Sequence, residues 1–249
     1  MASREKEKDK KRLGLMVPPA NTTMEDDFAM WMPDSVRLHV NRMYEDWSEG
    51  PTAGLQTLGD HVEEASRLLA KAPVDVIAFG CTSGSFLNGL GYDQEIIRRI
   101  ELASGGVMAV ATARAVVDAL NEFGVKKIAA CSPYTEEVNK RLKKFYTDAG
   151  FEIVSFDAVD RAKHPNIDGA DPEVALELAK SVDHPDAEAI FISCTAFRGA
   201  AEAVEELERV TGKPVVTSNQ ATFWACLRAM GVEDAIPGGG LLFKERIAV

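Results

Sequence analysis

The chain contains two pairs of matching segments separated by nearly the same distance, and this internal repeat constrains its fold more than any other feature. Residues 74–83 (VDVIAFGCTS) match residues 187–196 (AEAIFISCTA) in residue type at nearly every position, at an offset of 113. Residues 13–19 (LGLMVPP) resemble residues 128–134 (IAACSPY) at an offset of 115. Each segment is a short apolar run followed by a polar turn. Two echoes at nearly one offset predict two similar half-domains.

Short apolar runs alternate with longer amphipathic segments along the whole chain. Eight runs have the length of a buried strand: 13–17, 36–40, 74–79, 107–110, 127–131, 153–156, 187–192 and 214–217. Seven segments carry the apolar spacing of amphipathic helices: 55–70, 93–103, 112–123, 136–149, 172–182, 200–210 and 221–230. This order predicts an α/β fold, with mostly parallel sheet layered between helices. The predicted division is a charged, disordered tail at 1–12, a first half-domain at 13–112 plus 213–249, and a second at 113–212.

The charge and hydropathy of the chain restrict its partners. A formal net charge of −11 argues against nucleic-acid binding, which needs clustered Lys and Arg. No stretch approaches the roughly 20 apolar residues that span a bilayer, and no apolar run follows the charged N-terminus. We therefore expect a cytoplasmic protein with no nucleic-acid or membrane partner. The sequence leaves open whether the protein forms a homo-oligomer, because the apolar face of a helix such as 55–70 can pack either in the core or at an interface between subunits.

Four cysteines lie far apart, with no CxxC and no His at zinc-finger spacing, so neither a metal site nor a disulfide framework is predicted. Cys131 lies inside an apolar run and Cys226 on the apolar face of a helix, which is typical of packing residues. Cys81 and Cys194 instead follow apolar strands at matched positions of the repeat. Ligands of open parallel sheets lie at the carboxyl ends of the strands. If the halves face one another about a pseudo-twofold axis, both thiols approach one substrate.

The residues after each cysteine suit thiol chemistry. A thiol becomes a base or nucleophile when neighbouring N–H groups lower its pKa from about 8.5. Thr82, Ser83 and Thr195 provide amides and hydroxyls that can bind a carboxylate and stabilise enolate-like charge, although they are also ordinary turn formers. One thiol that attacks or deprotonates, with another that exchanges a proton, supports racemisation or isomerisation. Neither reaction requires a metal or an organic cofactor.

These residues resemble the aspartate/glutamate racemase superfamily, and most closely its branch of maleate cis-trans isomerase and arylmalonate decarboxylase. The likeness extends from residues 14–25 (GLMVPPANTTME) to residues 237–242 (PGGGLL). Its most specific parts are the two cysteine turns and the Ser-Pro-Tyr sequence at 132–134. The resemblance implies two pseudo-symmetric α/β half-domains, each a mostly parallel sheet flanked by helices, with the active site in the cleft between them.

The resemblance also implies individual roles. Cys81 matches the nucleophile and Cys194 the partner acid/base. Asn21 matches an asparagine that binds a substrate carboxylate, Tyr134 matches a hydroxyl that holds the other end, and Asn166 matches a second binding asparagine. From the residues alone, Asn21 is also a candidate cap for a helix that begins at the next residue, and Tyr134 a candidate buried aromatic with a satisfied hydroxyl.

For a maleate isomerase, the resemblance implies that the first thiolate adds to the cis double bond, that the single bond of the succinyl-like adduct rotates, and that elimination gives the trans acid. The Thr-Ser turn after Cys81 and the pair Phe223-Trp224 look more like the decarboxylases, which however carry glycine at the place of Cys81. We therefore expect a cofactor-independent two-cysteine isomerase of a small dicarboxylate. The alternatives are an amino-acid or hydroxy-acid racemase, an arylmalonate-type decarboxylase, and a non-catalytic protein that binds small acids.

Overall fold

The computed structural model describes residues 10–160, 163–164 and 170–244, and its strands form two parallel four-stranded sheets. The strands are β1 (Lys11–Val17), β2 (Val36–Arg42), β3 (Val76–Phe79), β4 (Met108–Ala111), β5 (Lys127–Ser132), β6 (Glu152–Ala158), β7 (Ala189–Ile192) and β8 (Val215–Thr217). The first sheet has the order β2-β1-β3-β4 and the second the order β6-β5-β7-β8. All six strand pairs are parallel. The α/β class and the eight predicted strands are confirmed.

The two sheets repeat one topology. The two pairs of matching segments relate β1 to β5 and β3 to β7. These are the two central strands of each sheet. Every residue of β3 and β7 is buried, because helices cover both faces of a parallel sheet. Their all-apolar sequences, VIAF and AIFI, are the consequence.

Eleven helices are assigned within the described residues. They are α1 (Thr23–Trp31), α2 (Pro51–Asp60), α3 (Val62–Leu69), α4 (Thr82–Phe86), α5 (Tyr92–Ser104), α6 (Thr112–Glu122), α7 (Glu136–Asp148), α8 (Glu173–Ser181), α9 (Ala203–Thr211), α10 (Ser218–Met230) and α11 (Gly240–Lys244). Helix α10 follows the last strand of the second sheet yet packs against α6, α1 and β3. None of these helices has the length and apolar character needed to cross a bilayer.

One apolar core joins the two halves. It contains Phe28 and Val76 from the first half, Tyr146 and Phe191 from the second, and Phe223 from α10. Two smaller cores cover the other faces of the sheets. Because the main core is continuous, the carboxyl ends of the two sheets are held at a fixed separation.

The structure differs from the sequence prediction at several elements. The helix predicted at 55–70 is two helices, since His61 leaves helical geometry at φ −95° and ψ 4°. Helix α4 forms inside the segment expected to be a turn after the first cysteine. Strand β1 begins at Lys11, inside the predicted tail, because its first two residues pair with β2. Strand β8, assigned by the predicted division to the first half, pairs with β7. The domain division itself stays a prediction.

Candidate active site

Cys81 lies at the carboxyl end of β3 and caps the short helix α4. Its Sγ accepts a hydrogen bond from the Gly84 amide at 3.3 Å and lies 3.7 Å from the Ser83 hydroxyl. The preceding residue, Gly80, must be small. A Cβ there would lie 2.6 Å from the Met24 sulfur and 2.8 Å from the Met16 carbonyl oxygen. The glycine thus lets the turn pass close to β1 and sets the position of the thiol.

The Cys81 thiol is buried, and burial raises its pKa to about 11. The hydrogen bonds from Gly84 and Ser83 lower this pKa, while the negative charge of Glu45 raises it. Desolvation outweighs both hydrogen bonds. The neighbours thus lower the thiol pKa, as predicted, but burial keeps it above its ordinary value. Glu45, in the segment after β2, belongs to no motif, so sequence reasoning missed it.

Cys194 occupies the matching end of β7 in an unusual backbone conformation. Its φ of 106° lies in the left-handed region, which residues with a Cβ rarely adopt. Such conformations cost on the order of 1–3 kcal/mol and persist where neighbouring contacts enforce them. The Cys194 amide donates to the Ser218 hydroxyl at 3.0 Å, and its Sγ accepts from the Ala196 amide at 3.4 Å. Hydrogen bonds therefore hold both the backbone and the sulfur of Cys194.

The Tyr134 hydroxyl lies between the two cysteine turns. The Ser193 hydroxyl donates to it at 3.4 Å, and a hydrogen bond with Thr82 joins it to the other turn. Burial raises the pKa of Tyr134 well above its usual value, and the nearby Cys194 and Cys81 raise it further. One hydroxyl is thus within electrostatic reach of both thiols, and the two turns converge on it.

The Ser-Pro-Tyr sequence at 132–134 holds this tyrosine in place. The Tyr134 amide donates to the Ser132 hydroxyl at 3.3 Å, and the Asn139 side chain donates to the Tyr134 carbonyl at 3.1 Å. Ser132 and Asn139 are themselves joined by a short hydrogen bond. The Phe86 ring meets the Tyr134 ring edge-on, with centroids 6.1 Å apart. Helix α4 therefore contributes to the position of a residue from the other half.

Asn21 and Thr195 link the halves directly. The Asn21 side-chain oxygen accepts from the Met24 amide at 3.1 Å, so the residue does cap α1. Its side-chain nitrogen donates to the Thr195 hydroxyl at 2.9 Å. That hydroxyl in turn donates to the Gly80 carbonyl oxygen at 3.2 Å. Asn21 retains a second N–H for a ligand, whereas both the donor and an acceptor position of the Thr195 hydroxyl are in use.

The first residues of α10 join this cluster, and sequence reasoning missed them. The Thr82 hydroxyl donates to the buried Ser218 hydroxyl at 2.9 Å. Asn219 donates to the Thr195 carbonyl oxygen at 3.0 Å and to the Asp27 carboxylate at 2.6 Å. The available signal was the polar run that directly follows β8, at a strand end equivalent to those of the cysteines.

Asp27 is the one buried carboxylate in direct contact with this network among the residues that the structure describes. Burial raises its pKa to about 7, and the charges of Glu202 and Asp26 add to the rise, while the hydrogen bond from Asn219 opposes it. A carboxyl group that changes charge near neutral pH is therefore linked to the second cysteine turn through one asparagine.

The structure brings most of the predicted site residues into one connected cluster: Cys81, Thr82, Ser83, Tyr134, Cys194, Thr195 and Asn21. Their catalytic and substrate-binding roles stay predictions. Asn166 lies outside the described residues. Cys131 and Cys226 are buried in the cores, where desolvation raises their pKa.

Phe223, which the resemblance singled out together with Trp224, lies in the core. Phe223 packs against Phe28 and Phe243, with centroids 4.9 and 6.0 Å apart, so it belongs to the core rather than to the cysteine cluster. Within residues 10–160, 163–164 and 170–244, no group of three His, Cys, Asp or Glu side chains is arranged to hold a metal ion.

Comparison with known proteins finds relatives along nearly the whole chain. The family model described as arylmalonate decarboxylase matches residues 13–243. A maleate isomerase of Pseudomonas putida is 27% identical over 244 residues, which cover 94% of this chain and 97% of that protein. An arylmalonate decarboxylase of Bordetella bronchiseptica is 28% identical over 246 residues, which cover 94% and 96%.

A solved structure shares the fold. The maleate cis-trans isomerase of Nocardia farcinica, determined as a cysteine-to-serine mutant with a covalently bound succinylcysteine intermediate, superposes with a TM-score of 0.84 at 23% identity. The match covers 94% of this chain and 98% of that one. The two-sheet architecture described above is therefore that of an enzyme known from experiment.

Proposed function

This chain belongs to the arylmalonate decarboxylase family, and from that premise we propose that it is a cofactor-independent isomerase of a small cis-dicarboxylate, with maleate as the first substrate to test. The similarity to the maleate isomerase of Pseudomonas putida extends over nearly the whole length of both proteins. The succinylcysteine in the Nocardia farcinica enzyme shows that an enzyme of this fold forms a thioether adduct.

The observation that carries the proposal is the convergence of two buried thiols on one tyrosine hydroxyl. Cys81 and Cys194 end equivalent strands of the two sheets, and Tyr134 interacts with both. A single thiol suffices to protonate a carbanion, whereas addition and proton transfer at adjacent carbons need two groups. The pair therefore suits isomerisation through a covalent adduct.

The proposed cycle begins with Cys81 as thiolate and Cys194 as thiol. The Cys81 sulfur forms a bond to one alkene carbon, and the π electrons move to the other carbon and its carboxylate. That carbon takes a proton from Cys194, which leaves a succinyl thioether and a Cys194 thiolate. After rotation about the new single bond, the Cys194 thiolate removes a proton from the same carbon. The double bond reforms as trans, and the carbon–sulfur bond breaks to return Cys81 as thiolate.

The surrounding donors have two tasks in this cycle. They bind the two carboxylates, and they stabilise the enediolate-like charge that develops beside the carbon under attack. In this proposal the first carboxylate is bound by Ser83, whose hydroxyl lies near Cys81, and by the amides at the start of α4. Thr82, Tyr134, the second N–H of Asn21 and the amide of Thr195 serve as further donors, together with Asn166.

Burial of the thiols serves the reaction as well. Water that reached the adduct would offer competing proton donors, and a dry environment strengthens each hydrogen bond to the developing charge. Cys81 and Cys194 are 5% and 8% exposed. The cost is the raised pKa of Cys81, which keeps most of the free protein in the thiol form at neutral pH.

Proton NMR of the protein with maleate tests the proposal, because fumarate gives a separate signal. We expect fumarate to accumulate without added cofactor, and Cys81→Ala and Cys194→Ala each to abolish conversion. Cys131→Ala, which changes a thiol buried in the core, is the matched control and retains it. A wild-type protein that leaves maleate unchanged at high protein concentration would refute maleate isomerisation.

Decarboxylation of a substituted malonate is the second candidate. Two observations favour it. The hydroxyl residues Thr82 and Ser83 follow Cys81 at the carboxyl end of β3, and the chain is 28% identical to the Bordetella bronchiseptica decarboxylase. Such chemistry needs Cys194 as proton donor but not Cys81. CO₂ release from phenylmalonate that survives in Cys81→Gly and is lost in Cys194→Ala would establish the decarboxylase. Deuterium exchange at the α carbon of an amino or hydroxy acid would instead indicate a racemase.

A further inference from the structure

Ser218 is a buried hydroxyl that contacts both cysteine turns. It is the first residue of α10 and follows β8 directly. Its Oγ accepts from the Thr82 hydroxyl at 2.9 Å and from the Cys194 amide at 3.0 Å. Thr82 belongs to the turn of the first sheet and Cys194 to that of the second. One oxygen atom therefore connects the two halves of the cluster.

The hydrogen-bonding capacity of a hydroxyl defines what Ser218 can do. A hydroxyl has one proton and two lone pairs, whereas a backbone amide can only donate. The bond from Cys194 thus has a fixed direction, but the bond between Ser218 and Thr82 can reverse because both are hydroxyls. When a substrate carboxylate accepts the Thr82 proton, the Ser218 proton can turn to the Thr82 oxygen.

From this geometry we propose that Ser218 is a positioning residue for the reaction. It directs the Thr82 hydroxyl toward the substrate carboxylate and holds the Cys194 backbone in the conformation that presents its thiol. It contacts neither the substrate nor the reacting atoms in this assignment. The inference rests on the proposed function where it concerns turnover.

The backbone of Cys194 shows why such support is needed. Its φ of 106° is unfavourable for a residue with a Cβ, so contacts must enforce it. Ser218 holds the amide of Cys194, and Asn219 holds the carbonyl oxygen of Thr195. These adjacent residues of one helix fix the turn on both sides of the Cys194–Thr195 peptide.

Thr112, at the equivalent position of the other half, does not make this kind of link. Thr112 is the first residue of α6 after β4, the position that corresponds to Ser218 after β8. Its hydroxyl donates to the Phe79 carbonyl oxygen at 3.0 Å and pairs with Thr222 at 3.0 Å, so it stays within the first sheet and α10. The cross-connection is therefore asymmetric, and loss of Ser218 should affect Cys194 and Thr82 together.

Steady-state kinetics with maleate test the turnover part. We expect Ser218→Ala to lower kcat by about tenfold or more and to raise KM, on the order of the loss of one or two buried hydrogen bonds. Ser218→Thr keeps the hydroxyl and should recover most of kcat. Ser66→Ala is the matched control, because that buried hydroxyl bonds the Val62 carbonyl oxygen within α3, and its kcat and KM should equal those of the wild type.

A double-mutant cycle separates the two contacts of Ser218. Thr82→Val removes the partner hydroxyl at nearly constant volume. If Ser218 acts through Thr82 on KM, adding Ser218→Ala to Thr82→Val should raise KM no further, while kcat still falls through Cys194. If the two substitutions instead raise KM independently, so that the double variant shows the product of the two single effects, Ser218 does not act on KM through Thr82. Thr82→Val also keeps the proposal testable if Ser218→Ala does not fold.

Iodoacetamide alkylation of Cys194, followed by peptide mass spectrometry across pH, gives a readout that needs no turnover. Ser218→Ala should change the Cys194 rate or its pH profile by at least about threefold, and Ser66→Ala should leave both unchanged. An altered profile in a protein that does not convert maleate would support the positioning role and refute only the proposed function. Unchanged kcat, KM and alkylation in Ser218→Ala would overturn the inference.

Discussion

The side-chain nitrogen of Asn21 donates a hydrogen bond to the hydroxyl of Thr195 at 2.9 Å, although 174 positions separate the two residues in the chain. The same hydroxyl donates to the Gly80 carbonyl oxygen, next to Cys81. Three segments from two sheets therefore meet at one threonine oxygen. A change at Asn21 removes this link and the cap of α1 together.

Asn21→Ala should lower the free energy of unfolding by about 1–2 kcal/mol, because a helix cap and a buried hydrogen bond are both lost. KM for maleate should rise more than kcat falls, since the asparagine N–H is a proposed carboxylate donor. Urea unfolding and initial rates measure the two effects. Asn121→Ala, at an exposed position of α6, is the control and should stay within about 0.5 kcal/mol of the wild type. Unchanged KM in Asn21→Ala would remove the residue from the site.

The pKa of Cys81 predicts a steep pH dependence. Only the thiolate reacts with iodoacetamide, and burial raises the Cys81 pKa to about 11. Its alkylation rate should therefore rise about tenfold per pH unit from pH 7 until about pH 11, and kcat/KM should rise with pH over the same range as far as the protein stays folded. Peptide mass spectrometry identifies the modified cysteine. In urea the same peptide should titrate near the ordinary thiol value. A rate that levels off below pH 8 in the folded protein would contradict the raised pKa.

Gly80→Ala should destabilise the protein and displace Cys81. The added methyl group would lie 2.6 Å from the Met24 sulfur and 2.8 Å from the Met16 carbonyl oxygen, and the latter is backbone of β1 that cannot rotate away. Overpacking of this kind costs about 1–3 kcal/mol. We expect a lower midpoint of urea unfolding and a lower kcat, measured on the folded protein. A loss below about 0.5 kcal/mol would show that β1 yields more easily than its pairing with β2 and β3 implies.

The repeat and the strand pattern were sufficient to predict the sheets and the positions of Cys81 and Cys194. Both depend on local features: an apolar run short enough for a strand, and a polar turn at its carboxyl end. The break at His61 was not predicted, although Gly59 and Asp60 precede it, because the apolar spacing continues through it.

The contacts of Ser218 and Asn219 were also missed, for a different reason. Their partners Thr82 and Asp27 lie 136 and 192 positions away, so the contacts exist only once the two sheets have packed. The burial that sets the pKa of Cys81 has the same origin, since desolvation comes from the assembled core and not from the neighbouring residues. The sequence therefore indicates which residues lie at the strand ends, while tertiary packing determines their ionisation.

Asp27→Asn should change how stability depends on pH. The pKa of Asp27 is about 7 in the folded protein, against an ordinary value of 3.8 for an exposed aspartate carboxyl. Between these values the folded protein keeps a proton that the unfolded chain has released. The free energy of unfolding should therefore fall as pH rises, by up to about 1.4 kcal/mol per pH unit, with the loss complete above about pH 7. Asparagine cannot ionise, so the variant should lack this decline.

Urea unfolding of both proteins at pH 4.5, 5.5, 6.5 and 7.5 measures the effect as a difference, so that other titrating groups cancel. We expect the stability of Asp27→Asn relative to the wild type to increase steadily across this series, because only the wild type must bury a charge beside Glu202 and Asp26. Asn121→Ala, which exchanges two side chains that do not ionise at an exposed position, should give a difference that is nearly constant with pH. An Asp27→Asn difference that is equally constant would mean that the carboxylate is solvated in the folded protein, and that the Asn219 contact does not transmit a charge change to the Cys194 turn.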